Sequence, residues 1–186
     1  NQTGGANTAS ADLFLGFNSG GSGTYNLGAG SLDASSETIG NLGTGVFTQT
    51  GGTNTVSNNL LVGASSGSSG TYNVSGGSFS ANNSYIGGSS TNSGGSGTMN
   101  ISVDADILIS SAMKIWDAGI VNLSDGMLDV TSIDNTNGGS FNFTGGTLKV
   151  DSFTGDLALT GGTLAPGNSP GLTTVLGDYS MDINST

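Results

Sequence analysis

The sequence predicts an all-β fold: a single-stranded, right-handed parallel β-helix, or β-solenoid, of about eight coils that narrow toward the C-terminus. Three observations carry this reading. Glycine-bearing turns recur along the chain, short strands with alternating apolar residues flank them, and helix formers are scarce. Of 186 residues 35 are Gly, whereas Lys occurs twice, Glu once and Arg never, so long helices have little propensity behind them.

The turns come first, because self-similarity at a fixed period identifies a stacked architecture. They read QTGGANT at Gln2, LGAGSLDA at Leu27, QTGGTNTV at Gln49, VSGGSFSA at Val74, LSDGMLDV at Leu123, FTGGTLKV at Phe143 and LTGGTLAP at Leu159. The second residue of each turn pair is Gly5, Gly30, Gly52, Gly77, Gly126, Gly146 or Gly162. Spacings run from 16 to 25 residues except for one gap of 49. That gap holds a degenerate unit, TMNISVDADILIS, which completes the set of eight.

Three short strands are read within each coil, since side chains alternate between the two faces of a strand. Ahead of the turn stand an apolar residue, often Asn, and a second apolar residue: Tyr25-Asn26-Leu27, Tyr72-Asn73-Val74, Met99-Asn100-Ile101, Val121-Asn122-Leu123 and Phe141-Asn142-Phe143. The second strand points Leu32 and Ala34, Phe79 and Ala81, Leu128 and Val130, or Leu148 and Val150 inward. The third closes on Leu15, Ile39, Val62, Ile86, Ile115, Ile133 and Phe153, each before Gly or its substitute. In the degenerate unit, alternation is expected to bury Met99, Ile101, Val103, Ala105, Ile107 and Ile109 and to turn Asp104 and Asp106 outward.

The connectors between third and first strands shorten along the chain, from GFNSGGSGT and GGSSTNSGGSGT to WDAGI and TGD. One domain spanning residues 1–186 therefore reads as larger Gly/Ser-looped coils over 1–97, shorter coils over 98–159 and a terminal turn and strand over 160–186. Coils cannot bury their apolar faces alone, so they stack at about 4.8 Å, giving a rod on the order of 40 Å long. Glycine suits the positive-φ corners, and Ser, Thr and Asn satisfy turn backbone or stack in ladders.

The chemistry of the chain is narrow. Twelve Asp and one Glu face two Lys, a net charge of −11, which disfavours nucleic acid and anionic membrane surfaces as partners. No apolar stretch approaches the roughly 18 residues of a membrane-spanning helix. Without His, Cys or Arg, a Ser/His/Asp triad, a thiol nucleophile and a His-based zinc site are ruled out, and neither a catalytic group nor a cofactor is expected. Asp104 and Asp106 sit two apart on one strand, but calcium takes six to eight oxygens, so they read as solvated surface. The calcium-binding GGxGxD repeat is missing, and Thr-x-Thr occurs in array only at Thr48/Thr50 and Thr53/Thr55 within one coil.

Two features suggest contacts with partners. On the third strands Phe14, Thr38, Leu61, Tyr85, Lys114, Ser132 and Ser152 precede the inward residue and point outward, which lays Phe14, Leu61 and Tyr85 along one side of the rod as an apolar stripe. The chain ends are the second. NQTGG, set against GVFTQTGG at residues 45–52, lacks most of a first strand, while DYSMDINST alternates Tyr179, Met181 and Ile183 with polar residues. Uncapped solenoid ends expose strand edges and core, so Asn1, Gln2 and Thr3 at one end and Tyr179, Met181 and Ile183 at the other are the expected contacts of a head-to-tail homopolymer. A fragment cut from a longer solenoid would show the same ragged ends.

The segment GGTLAPGNSPG followed by LTTVLGDYSM closely resembles the autotransporter-associated β-strand repeat, a module of large bacterial surface and secreted proteins. The close match covers residues 160–181; TYNVSGGSFSA and YIGGSS resemble the family more loosely, and residues 171–176 depart from its usual order. The resemblance implies an extracellular, bacterial, right-handed β-helix and supplies no catalytic residues. The expectation is then a non-enzymatic structural protein that builds a fibre, sheath or matrix. An adhesin or passenger rod contacting carbohydrate or a cell surface is the alternative, with a polysaccharide-processing enzyme third.

Overall fold

A computed structural model describes residues 1–167, 171–182, 185 and 186, among which every regular element is a strand. In chain order these are β1 (Gln2–Ala9), β2 (Leu13–Leu15), β3 (Ser22–Ala34), β4 (Glu37–Ile39), β5 (Thr44–Gln49), β6 (Thr53–Val62), β7 (Ser69–Ile86) and β8 (Ser96–Ile115). They continue as β9 (Gly119–Leu123), β10 (Met127–Asp134), β11 (Ser140–Phe143), β12 (Thr147–Thr154), β13 (Leu157–Leu159), β14 (Thr163–Pro166), β15 (Thr174–Leu176) and β16 (Tyr179–Met181). Every pairing between them is parallel, coil upon coil, so the chain forms a β-solenoid of about eight turns. No helix among the described residues is long and apolar enough to cross a membrane.

Three inward faces make the core, each carrying two columns in the early coils. On the first face Tyr25, Phe47, Tyr72, Met99, Val121 and Phe141 stand in register. The second face stacks Asn7, Leu32, Asn54, Phe79, Ile107, Leu128, Leu148 and Leu164. The third stacks Leu13, Glu37, Leu60, Ser84, Met113, Ile133, Phe153 and Val175. Most are fully buried, and each large apolar side chain so placed contributes roughly 1.5–3 kcal/mol.

The corners behave as the turn pattern requires. Gly5, Gly30, Gly52, Gly77, Gly126, Gly146 and Gly162 all have φ between 70° and 86°, a region that costs glycine nothing and other residues strain. In the degenerate coil Val103 takes the corner with φ 51°. Val103 is therefore 54% exposed rather than buried, although Met99, Ile101, Ala105, Ile107 and Ile109 are buried as expected. The coil holds one residue more between Ile101 and Asp104 than its neighbour holds between Val74 and Gly76, and the extra residue bulges outward.

The third face also departs from the expected stacking. Ile133 stacks on Met113 rather than on Ile115, and Phe153 stacks on Ile133. The late coils narrow by losing the end of the third strand, so they keep one inward position there instead of two. The outward row consequently continues from Lys114 to Asp134 and Thr154, not to Ser132 and Ser152.

Candidate functional site

At the N-terminal end β1 pairs on one side only, with β3, placing Gln2 beside Leu27 and Thr3 beside Ala29. Asn1 Oδ1 accepts from Asn26 Nδ2 at 2.6 Å. Gln2 Nε2 donates to Gly5 O at 3.1 Å and to Ser31 O at 2.7 Å. The Tyr25 hydroxyl donates to Gln2 Oε1 and accepts from Asn7 Nδ2 at 2.9 Å. Together Asn1, Gln2, Thr3, Asn7 and Tyr25 line an open polar hollow.

At the other end several apolar side chains stay exposed beside Ser185 and Thr186, which hydrogen-bond to Leu159, Gly162 and Leu164 of the last coil. Tyr179 and Met181 pair with Leu157 and Leu159, yet remain 45% and 48% exposed. Beside them Leu164 and Val175 are half-buried and share a hollow with Tyr179. Ile183 lies outside the described residues, as do residues 168–170 of the terminal turn.

The outer third-strand residues form the continuous row Phe14, Thr38, Leu61, Tyr85 and Lys114. Buried Thr38 separates Phe14 from Leu61, so the apolar stripe is interrupted. Phe14 meets Phe17 edge-on, ring centroids 4.9 Å apart. The row runs into a polar group in which Lys114 Nζ lies 3.3 Å from Asp134 and 4.2 Å from the Trp116 ring centroid. Asp104 and Asp106 are exposed on β8, and among the described residues no three His, Cys, Asp or Glu side chains converge.

Outside the rod, the Asn residues of the first strands join into a ladder. Asn142 donates to Asn122, Asn122 to Asn100 and Asn100 to Asn73, each at 2.7 Å.

The interior also holds polar residues that strand alternation alone does not signal. Glu37, Gln49, Asn54 and Ser84 are fully buried, and Asn54 Nδ2 donates to both Glu37 carboxylate oxygens, at 3.0 and 3.2 Å, and to Tyr72 Oη at 2.7 Å. Burial pushes the Glu37 carboxyl up to about 7 despite the opposing hydrogen bonds from Asn54 and Tyr72. A signal for this group exists in the sequence. QTGGANT and QTGGTNT, and GTYN at Gly23 and Gly70, each recur after 47 residues, so the first two coils and the next two are one repeated unit, with Gln2, Asn7 and Tyr25 equivalent to Gln49, Asn54 and Tyr72.

Comparison with protein-family models, with curated proteins and with solved structures finds no match.

Proposed function

We propose that this chain is a structural, non-enzymatic protein that associates head to tail through its solenoid ends, extending the rod into a fibre, sheath or matrix. One relation supports the reading above others. Inside the rod Leu27 stacks on Gln49 and Leu32 on Asn54, and Gln49 and Asn54 are the equivalents of Gln2 and Asn7 in the first coil. Met181, in the last described strand, stands in the column of Leu27, and Leu164, whose backbone N–H donates to Thr186 O, stands in that of Leu32. A C-terminal face therefore carries the kind of side chain that already covers an N-terminal-type face within the molecule. Heterologous contacts of this kind, repeated without closure, generate open filaments.

The resemblance of residues 160–181 to a repeat of bacterial surface proteins supports an extracellular, cell-surface setting for such a fibre. A rod presenting its sides to a carbohydrate or to another cell is the second reading, favoured by the row from Phe14 to the Tyr85, Lys114 and Asp134 surface.

Removal of residues 179–186 tests the first reading by negative-stain microscopy. Uniform filaments from the intact chain and only short folded rods from the truncated one are expected. Filaments that persist after truncation, or an intact chain that stays monomeric at high concentration, would overturn it.

A further inference from the structure

We propose that Glu37 is held protonated in the folded core, and that its proton sets the hydrogen-bond pattern joining the second, third and fourth coils. The geometry around an ionised Glu37 leaves an imbalance. The carboxylate draws the Asn54 amide and the Tyr72 hydroxyl toward itself, and two buried acceptors nearby, Asn54 Oδ1 and Gln49 Oε1, have no partner. An orphaned buried acceptor costs about 1–3 kcal/mol. No cation compensates the charge: β2 presents Leu13, β5 Phe47, β6 Asn54 and Leu60, and β7 Tyr72 and Ser84, of which only Tyr72 titrates. Both lysines are engaged elsewhere, with Asp134 and Asp129.

The repeated unit displays the arrangement without the acid. There the Tyr25 hydroxyl donates to Gln2 Oε1 while Asn7 Nδ2 donates to Tyr25. One proton on Glu37 lets the second unit do the same. The carboxyl O–H donates to Asn54 Oδ1, the Tyr72 ring, released from the carboxylate, shifts to bring its hydroxyl within reach of Gln49 Oε1, which no donor reaches in the structure, as Tyr25 reaches Gln2, and Asn54 Nδ2 still donates to Tyr72. Both orphaned acceptors gain a donor, and the only change in composition is the bound proton. Ionisation reverses the pattern and leaves a charge in an apolar stack, which weakens this joint ahead of the rest of the rod.

Burial raises the Glu37 carboxyl from 4.5 to about 7, in the same direction as the geometry. The folded state binds this proton more tightly than the unfolded chain. The associated stability is therefore complete below about 4.5 and is lost as pH rises to about 7, where the folding constant has been falling about tenfold per unit.

Glu37 is the chain's one glutamate, so isotopic labelling of glutamate at the carboxyl carbon yields a single resonance in the native protein. Its titration midpoint is expected near 7; a midpoint in the ordinary carboxylate range overturns the proposal. Denaturant unfolding over the same pH interval, wild type against Glu37→Gln, is the second arm. The ratio of the two folding constants is expected to change about tenfold per pH unit, and parallel pH profiles would overturn the proposal. If the variant fails to fold, the carboxyl titration of the wild type still decides.

Discussion

Phe47 lies flat on Tyr72, the ring centroids 4.7 Å apart and the planes 4° from parallel. Tyr25 continues the stack on the other side of Phe47 at 5.4 Å. Three successive coils are thus pinned in register by one aromatic column, and the register that stacks these rings also brings the Tyr72 hydroxyl to Asn54.

Replacing Phe47 by Ala removes the middle ring from a site with no solvent exposure. A loss of about 3–5 kcal/mol is expected, and Phe47→Leu, which retains most of the apolar volume, should lose about half of that or less. Denaturant midpoints read at constant m-value check both, and equal losses would show that the stacking geometry rather than the filled volume dominates.

Val103 provides a prediction of opposite sign. A β-branched residue at φ 51° is strained, by roughly 1–2 kcal/mol for an L-residue in the left-handed region. Its side chain is mostly exposed, so Val103→Gly removes the strain with little loss of packing. After the greater flexibility of glycine in the unfolded chain is deducted, a net gain of about 0.5–1 kcal/mol is expected. Thermal unfolding should move upward, and a lowered midpoint would mean that the bulge needs its side chain.

Gly70 belongs to a column of glycines, Gly23, Gly45, Gly70, Gly97 and Gly119, that pair in succession. A Cβ at Gly70 would collide with the carbonyl oxygen of Ile39, where the first strand passes the end of a neighbouring coil's third strand. Backbone on both sides cannot yield, so Gly70→Ala should destabilise by about 3 kcal/mol or more. Gly67→Ala, in open space but at φ 80°, should cost only about 1–2 kcal/mol. Similar losses in circular-dichroism melts of the two variants would contradict this account of the column.

Much of the architecture was legible because its signals are local. A glycine needed at a positive φ, an apolar residue at every second position and a short polar connector are properties of a few consecutive residues. They suffice for the corners at Gly30 or Gly146 and for burying Leu32, Phe79 or Leu148. The candidate contact surfaces were partly legible too: Phe14, Leu61 and Tyr85 do share a row, but the packed Thr38 between them emerges only when coils are stacked. The Asn ladder could be anticipated as residues in like positions, whereas its single direction of donation from Asn142 to Asn73 depends on three coil-to-coil registers.

Alternation and turn chemistry by themselves determined that this chain winds into a parallel solenoid, because each coil's strands and corners are encoded within its own residues. Stacking decided the rest. Ile133 settles on Met113 because the late coils turn early, and Val103 leaves the core because its coil holds one residue too many. Asn54 meets Glu37 from the coil before and Tyr72 from the coil after. Those partners lie 17 and 18 residues away along the chain. Strand periodicity says which side a residue faces, but only the register between coils, set by the packing of the whole column, says what it touches there.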